Sequence, residues 1–197
     1  MSESRKHPSD PDRAKRLPPG QSITTKWPVL HLGDVPRIDL ATWRLRVFGA
    51  VEEEVAWGWS DFLALPQSRM RSDIHCVTRW TKLDNDWEGV ATRDVLARVR
   101  VRPEARFVMA HSYGGYTTNL PLDDFAAADS ILAHRHGGEP LAPEHGWPLR
   151  LVVPGLYFWK SAKWIEGIEL LPQDALGYWE EGGYHRRGDP WREQRYR

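Results

Sequence analysis

The residues most able to do chemistry surround Cys76, in the stretch Asp73-Ile74-His75-Cys76-Val77-Thr78-Arg79-Trp80. Cys76 is the only cysteine of the chain. A single thiol cannot build a zinc site or a disulfide framework, and no Cys-x-x-Cys or His-x-x-x-His pattern completes one. Two kinds of chemistry remain: the thiol is a nucleophile, or it is the one protein bond to a metal whose other ligands arrive with a cofactor. The polar neighbours His75, Thr78 and Arg79 favour thiolate, because a nearby cation lowers a thiol pKa. Thiolate is a soft ligand and selects metals other than magnesium or calcium. The plain alternative is burial, since a free cysteine commonly packs as a small apolar residue.

A second constellation lies downstream, in Gly146-Trp147-Pro148-Leu149-Arg150-Leu151-Val152-Val153-Pro154-Gly155 followed by Lys160-Ser161-Ala162-Lys163-Trp164. A strand that ends at Pro-Gly is followed by two lysines, a serine and free backbone N–H groups. Those are the donors and charges that a phosphate needs. In extended chain the spacing of Ser161 and Lys163 would put both on one face. A solvated basic turn is the alternative. The phosphate-loop and dinucleotide glycine patterns are both absent, so a nucleotide site has no support. His145 stands just before this strand, and Tyr178-Trp179-Glu180-Glu181-Gly182-Gly183-Tyr184-His185 forms a further group. Neither stands out on composition alone.

The elements that must position these residues are short. The 197 residues suffice for one domain with a sizeable core. Basic and acidic residues balance at 27 each, so no net field attracts nucleic acid or an anionic membrane. No apolar run could span a bilayer and none near the N-terminus resembles a signal peptide, so no membrane insertion and a cytoplasmic location are expected. Eleven tryptophans suggest a β-rich core or a pocket with planar walls. Residues 1–20, rich in proline and basic side chains, read as a mobile tail, leaving 21–197 as a single domain. Alternation predicts strands over 42–48, 72–78, 106–110, 149–153 and 163–171. Short helices are expected at Ser60–Leu65, capped by Ser60, at Thr92–Val99 and at Pro121–Ala126. The stretch opened by Cys76 reads as a long polar and aromatic loop. Aromatic residues after Pro172 argue that the C-terminal segment is pinned to the body. The mixture is α+β, not a βαβ nucleotide fold.

Taken together, these stretches resemble the molybdopterin-binding domain of the sulfite oxidase family. The resemblance covers about residues 30–184 and rests on His75-Cys76 with Trp87-Glu88-Gly89-Val90, on His145-Gly146-Trp147-Pro148 through Gly155, and on Lys160-Ser161-Ala162-Lys163-Trp164-Ile165. It implies the β-rich fold of that family with several short helices. It further implies that Cys76 is the thiolate ligand of molybdenum, with a pyranopterin dithiolene, free of a nucleotide, supplying two more sulfurs. His145, Arg150, Lys160, Ser161 and Lys163 match cofactor-holding positions, and His31 joins that set. Tyr184 matches an active-site tyrosine, and Arg79 and Tyr184 are the candidates to position the substrate. The implied activity is two-electron oxygen-atom transfer on a small substrate, with sulfur compounds included and electrons exchanged with a separate protein.

The chain also departs from the family's animal enzymes. Val77-Thr78-Arg79-Trp80 replaces Ala-Gly-Asn-Arg after the ligand cysteine, and no arginine occurs near Val29-Leu30-His31. The Cys-Val-x-x-Trp pattern is closer to bacterial methionine sulfoxide reductase subunits, although no twin-arginine signal is seen. No haem-binding Cys-x-x-Cys-His exists. Two competing expectations remain: a cysteine-nucleophile hydrolase or transferase with His75, His111 or His145 as base, and a non-catalytic member of the fold.

Overall fold

A computed structural model describes residues 11–197. Among these residues the chain forms a six-stranded and a five-stranded sheet joined by short helices. Helix α1 (Pro11–Lys15) and strand β1 (Ser22–Ile23) lead into β2 (Arg44–Gly49), β3 (Val55–Gly58) and α2 (Trp59–Leu63). A hairpin of β4 (Ser68–His75) and β5 (Trp80–Ala91) precedes α3 (Thr92–Leu96), β6 (Phe107–Ser112), β7 (Thr117–Pro121) and α4 (Leu122–Phe125). Then come β8 (Ile131–His136), β9 (Glu139–Pro140), a 3-10 turn at Pro143–His145 and β10 (Arg150–Val152). A second 3-10 turn at Phe158–Lys160, β11 (Ile165–Leu171) and α5 (Tyr178–Glu181) complete the order.

One sheet runs β3-β2-β11-β6-β7, antiparallel except for the parallel β2–β11 pair. The other is centred on β5, which pairs with β4 and β8 antiparallel and with β1 parallel. The main core lies between the sheets and takes Leu45 and Val47 from β2, Val90 from β5, Leu132 from β8, Leu151 from β10 and Ile168 from β11. Because side chains alternate along a strand, Trp87, Ile131, Ala133 and Val152 point to the opposite face and build a second cluster. Arg150, two residues before Val152, stands on that second face. Gly89 is required there: a Cβ would lie 2.0 Å from Leu132 O, where β8 crosses at a register shift.

Several expectations needed correction. The loop expected after Cys76 is a tight turn into β5, the longest strand of the hairpin. Helix α2 starts one residue early, and Asp61 reaches back to accept from Gly58 N (3.2 Å) where Ser60 was expected to cap. Strands β7 and β8 were not anticipated. Of the expected tail, residues 1–10 lie outside the described residues. The remainder is docked on the body: Arg16 pairs with Asp73 (2.5 Å) and Asp84 (2.8 Å). The C-terminal segment is pinned to the body as expected, with Tyr184 edge to face on Trp159 and Tyr178 against Tyr116.

Candidate cofactor and metal site

Cys76 follows β4 directly, at a turn closed by Cys76 N to Trp80 O (2.8 Å) and Arg79 N to Cys76 O (3.0 Å). Arg79 adopts a left-handed φ of 76°, a costly conformation for a non-glycine residue, and so marks a tightly specified turn. The thiol is almost completely buried, with Sγ 3.1 Å from Thr78 Oγ1. Burial pushes its pKa up, opposed by the Thr78 hydrogen bonds and by the charge of Arg195. The cation acting on the thiol is thus Arg195, from the far end of the chain. Arg79 is exposed and lies against Gly20, where a Cβ would meet its Nη1 at 2.9 Å. Tyr157, Trp80, Trp159 and Tyr184 pack around Cys76 and Val77.

Histidines give the thiol no general base. His75 is buried, its Nδ1 is 2.9 Å from Thr81 Oγ1, and burial lowers its pKa to about 4. His111 pairs with Glu169 on the other sheet, and His145 stacks on Trp27. Among the described residues none of them hydrogen-bonds Cys76 Sγ, which removes the geometry that a cysteine nucleophile needs. Nor can three or more His, Cys, Asp or Glu side chains among the described residues hold a metal by themselves. A metal on Cys76 needs donors carried by another group.

A group of basic side chains lies on the second face of the β5 sheet. Arg150 is fully buried; Nη1 donates to His145 O and Nη2 to Ser161 O, both at 2.8 Å. Its guanidinium sits 4.4 Å from the Phe158 ring centre and 5.5 Å from Trp27. Burial lowers its pKa to about 9, which leaves it charged at neutral pH. Lys163 Nζ donates to Glu144 O at 2.6 Å, and burial followed by the Arg150 charge lowers its pKa to about 7. His145 falls to about 4 for the same reasons, with Lys163 adding to the repulsion. Among the described residues, neither Arg150 nor Lys163 has a carboxylate within 4.0 Å. Gly146 lets these cations converge: at a φ of 112°, it has Arg150 Cβ and Lys163 Cβ each 3.1 Å from where its own Cβ would be.

Trp80 joins the two regions. It packs on the Cys76 cluster and meets Phe158 edge to face at 6.2 Å, on the ring beneath Arg150. The arrangement therefore brings together His145, Arg150, Ser161 and Lys163, with His31 at the rim against Trp164 (5.5 Å). Ser161 is buried and its Oγ accepts from Val153 N, so it does not share an open face with Lys163. Lys160 points elsewhere. Its Nζ lies 2.6 Å from Glu180 Oε1 and donates to Asn119 O, Asn119 Oδ1 and Arg186 O. Sequence reasoning did not single out Trp27, Phe158, Gln21, Glu180 or Arg195. Nothing local marks them, apart from the density of tryptophan.

A basic group without a carboxylate partner, linked through Trp80 to a lone thiol, suits an anionic cofactor that brings metal donors of its own. Trp80 Nε1 and His145 Nδ1 are each buried without a hydrogen-bond partner, and each could meet a polar group of such a cofactor. Comparison with known proteins agrees. The family model described as the oxidoreductase molybdopterin binding domain matches residues 32–179, and the chain belongs to that family. Its cofactor is molybdopterin with molybdenum, and its class is oxidoreductase.

Among its relatives is the uncharacterized oxidoreductase YuiH of Bacillus subtilis, 51% identical over 94% of each chain. A putative protein-methionine-sulfoxide reductase subunit, YedZ1 of Azospira oryzae, is 28% identical over 89% of this chain and 68% of its own. A nitrate reductase of Hordeum vulgare is 29% identical over 81% of this chain, which spans only 21% of that enzyme. The sulfane dehydrogenase SoxCD of Paracoccus pantotrophus shares the fold, with a TM-score of 0.64 at 23% identity over 71% of this chain and 40% of that one. The β-rich, sulfite oxidase-type architecture is thus established. Among the described residues no helix is long and apolar enough to cross a membrane.

Proposed function

We propose that this chain is a molybdenum oxidoreductase that transfers an oxygen atom to or from a small substrate, with Cys76 as the protein's thiolate on the metal. The observation that carries this reading is the pairing of the only thiol with a fully buried, unneutralised Arg150, connected through Trp80 and Phe158. When bound, the cofactor supplies the two-electron chemistry, and its pterin supplies further sulfur donors.

The chain's own residues bind and orient. Arg150 and Lys163 offer charge, and His145 a ring nitrogen, to the anionic end of a pterin without a nucleotide, and Ser161 holds Arg150 through its carbonyl. Trp27 stacks on His145 at 3.8 Å. At the thiol, Tyr157, Trp80 and Trp159 exclude water. Tyr184 packs on the same cluster and is better placed than exposed Arg79 to meet a substrate. His31 contributes at the rim. Lys160 supports the site at a distance, through Glu180 and the indole N–H of Trp159 (2.7 Å). Sulfoxides and nitrate, the substrates in the relatives' names, are the first to assay. Electrons pass to or from a separate protein, and an unpaired thiol suits a reducing, cytoplasmic setting.

The test is elemental analysis with pterin fluorescence on protein purified from a molybdenum-sufficient host. About one molybdenum per chain is expected, and none under those conditions overturns the proposal. Cys76→Ser should bring turnover to background. Full turnover of that variant with molybdenum bound would remove Cys76 from the metal.

A further inference from the structure

The Cys76 turn is held from both ends of the chain. Gln21 Nε2 donates to Cys76 O at 2.9 Å, and Arg195 Nη1 donates to the next carbonyl, Val77 O, at 2.6 Å. Both donor side chains are buried. Arg195 also lies over the Tyr157 ring, its Cζ 4.9 Å from the centre, and its Nη2 reaches Pro19 O at 3.4 Å. Gln21 and Arg195 both fall outside residues 32–179, the part matched by the family model. Cys76 O accepts from Arg79 N as well, at 3.0 Å, whereas the donor to Val77 O is Arg195; a buried carbonyl without a donor is costly, and a charged donor forms the stronger bond. Fixing two consecutive carbonyls leaves the intervening peptide little freedom to rotate, and the Cys76 side chain rides on that peptide.

We propose that Gln21 and Arg195 are positioning residues that clamp the Cys76 turn, holding the thiol in one orientation with or without the metal. The clamp rests on the reading of Cys76 as the metal's protein ligand. It is separable from the general docking of the C-terminal segment, which has other anchors. Arg187 forms a two-pronged pair with Asp124 (2.9 and 3.0 Å), and Lys160 Nζ donates to Arg186 O at 2.6 Å. Removing Arg195 therefore leaves that segment attached.

Because Cys76 is the only cysteine, iodoacetamide labelling of the full-length, cofactor-free protein reads this thiol alone. Corrected for the thiolate fraction, which loss of the Arg195 charge reduces, Arg195→Met and Gln21→Leu should each speed labelling roughly tenfold, since a buried thiol reacts through local opening. Arg195→Lys keeps a donor for Val77 O and should restore most of the protection. Arg187→Ala, on the same segment, should leave the rate unchanged. On molybdenum-loaded protein, Arg195→Met should shift the thiolate-to-metal charge-transfer band, which loosened packing elsewhere would not do. Unchanged labelling in both clamp variants, or equal acceleration by Arg187→Ala, overturns the clamp. Should Arg195→Met fail to fold, Gln21→Leu alone decides by the same readouts. The underlying reading fails differently: loading should protect wild-type Cys76, and equal labelling of loaded and cofactor-free wild type takes the thiol off the metal.

Discussion

Arg150 and Lys160 are both completely buried, and their surroundings are opposite. Lys160 is neutralised by Glu180 and surrounded by Asn119 and Arg186 carbonyls. Burial lowers its pKa while Glu180 opposes that shift. Arg150 has only backbone carbonyls, those of His145, Ser161 and, at 3.5 Å, Leu151, and the faces of aromatic rings. A buried charge is costly unless it is paired. Lys160 is paid for within the protein and belongs to the architecture that ties α5 to β7. Arg150 has no such partner and, on the proposed reading, meets an anion from outside; Lys163 adds charge of the same sign beside it, while His145, lowered to about 4, is neutral.

The sharpest way to break this comparison is stability. Lys160→Met strands the Glu180 carboxylate and should cost about 3–5 kcal/mol in urea unfolding. Adding Glu180→Gln should recover much of the loss. Arg150→Met should change cofactor-free stability by less than about 2 kcal/mol, yet lower retained molybdopterin roughly 30–100-fold by pterin fluorescence. If Arg150→Met destabilises the cofactor-free protein as severely as Lys160→Met, the two cations do the same job and the comparison fails.

Acid and base sharpen it further. Lys163 falls from 10.5 to about 7, so between those values the unfolded chain holds more protons than the folded one. Cofactor-free stability should therefore rise with pH across that window. A bound anion favours the ammonium, so affinity for inorganic phosphate, measured by calorimetry, should weaken up to about tenfold as pH rises from neutral. Lys163→Met should flatten that profile. The smallest effect concerns His136, which burial followed by repulsion from Lys82 and Arg150 lowers from 6.5 to about 4. As pH falls from 6.5 towards 4 the unfolded chain takes up the proton first, and stability is lost. His136→Gln should make the fall of Tm over that range shallower.

Much of the scaffold was legible. Arg44-Leu45-Arg46-Val47 alternates exposed and buried as written, because one face of β2 meets water and the other the core. Strand β5 was not legible. Its Asp84-Asn85-Asp86 run reads as a loop, yet Asn85 is buried and donates to Ser72 O across an irregular hairpin and to Lys82 O on its own strand. Strand β8, Ile131–His136, gave no clear alternation because its residues face apolar clusters on both sides. In the site, Arg150 and Lys163 were legible as a basic group beside a strand. Lys160 was placed with them on proximity alone, and a 3-10 turn sends it the other way.

The order and types of residues by themselves determined that one thiol stood beside a polar turn, that a basic segment followed a β-strand, and that the fold resembled a molybdopterin domain. Local chemistry and periodicity suffice for the first two statements; the third rests on likeness to the motifs of a known family. Only the tertiary structure decided which charges stay unneutralised, that Trp80 bridges the thiol to the ring beneath Arg150, and that Gln21 and Arg195 bond the Cys76 turn from opposite ends of the chain. Burial and pairing depend on partners distant in sequence, and no local pattern encodes which carboxylate or carbonyl a buried cation will meet.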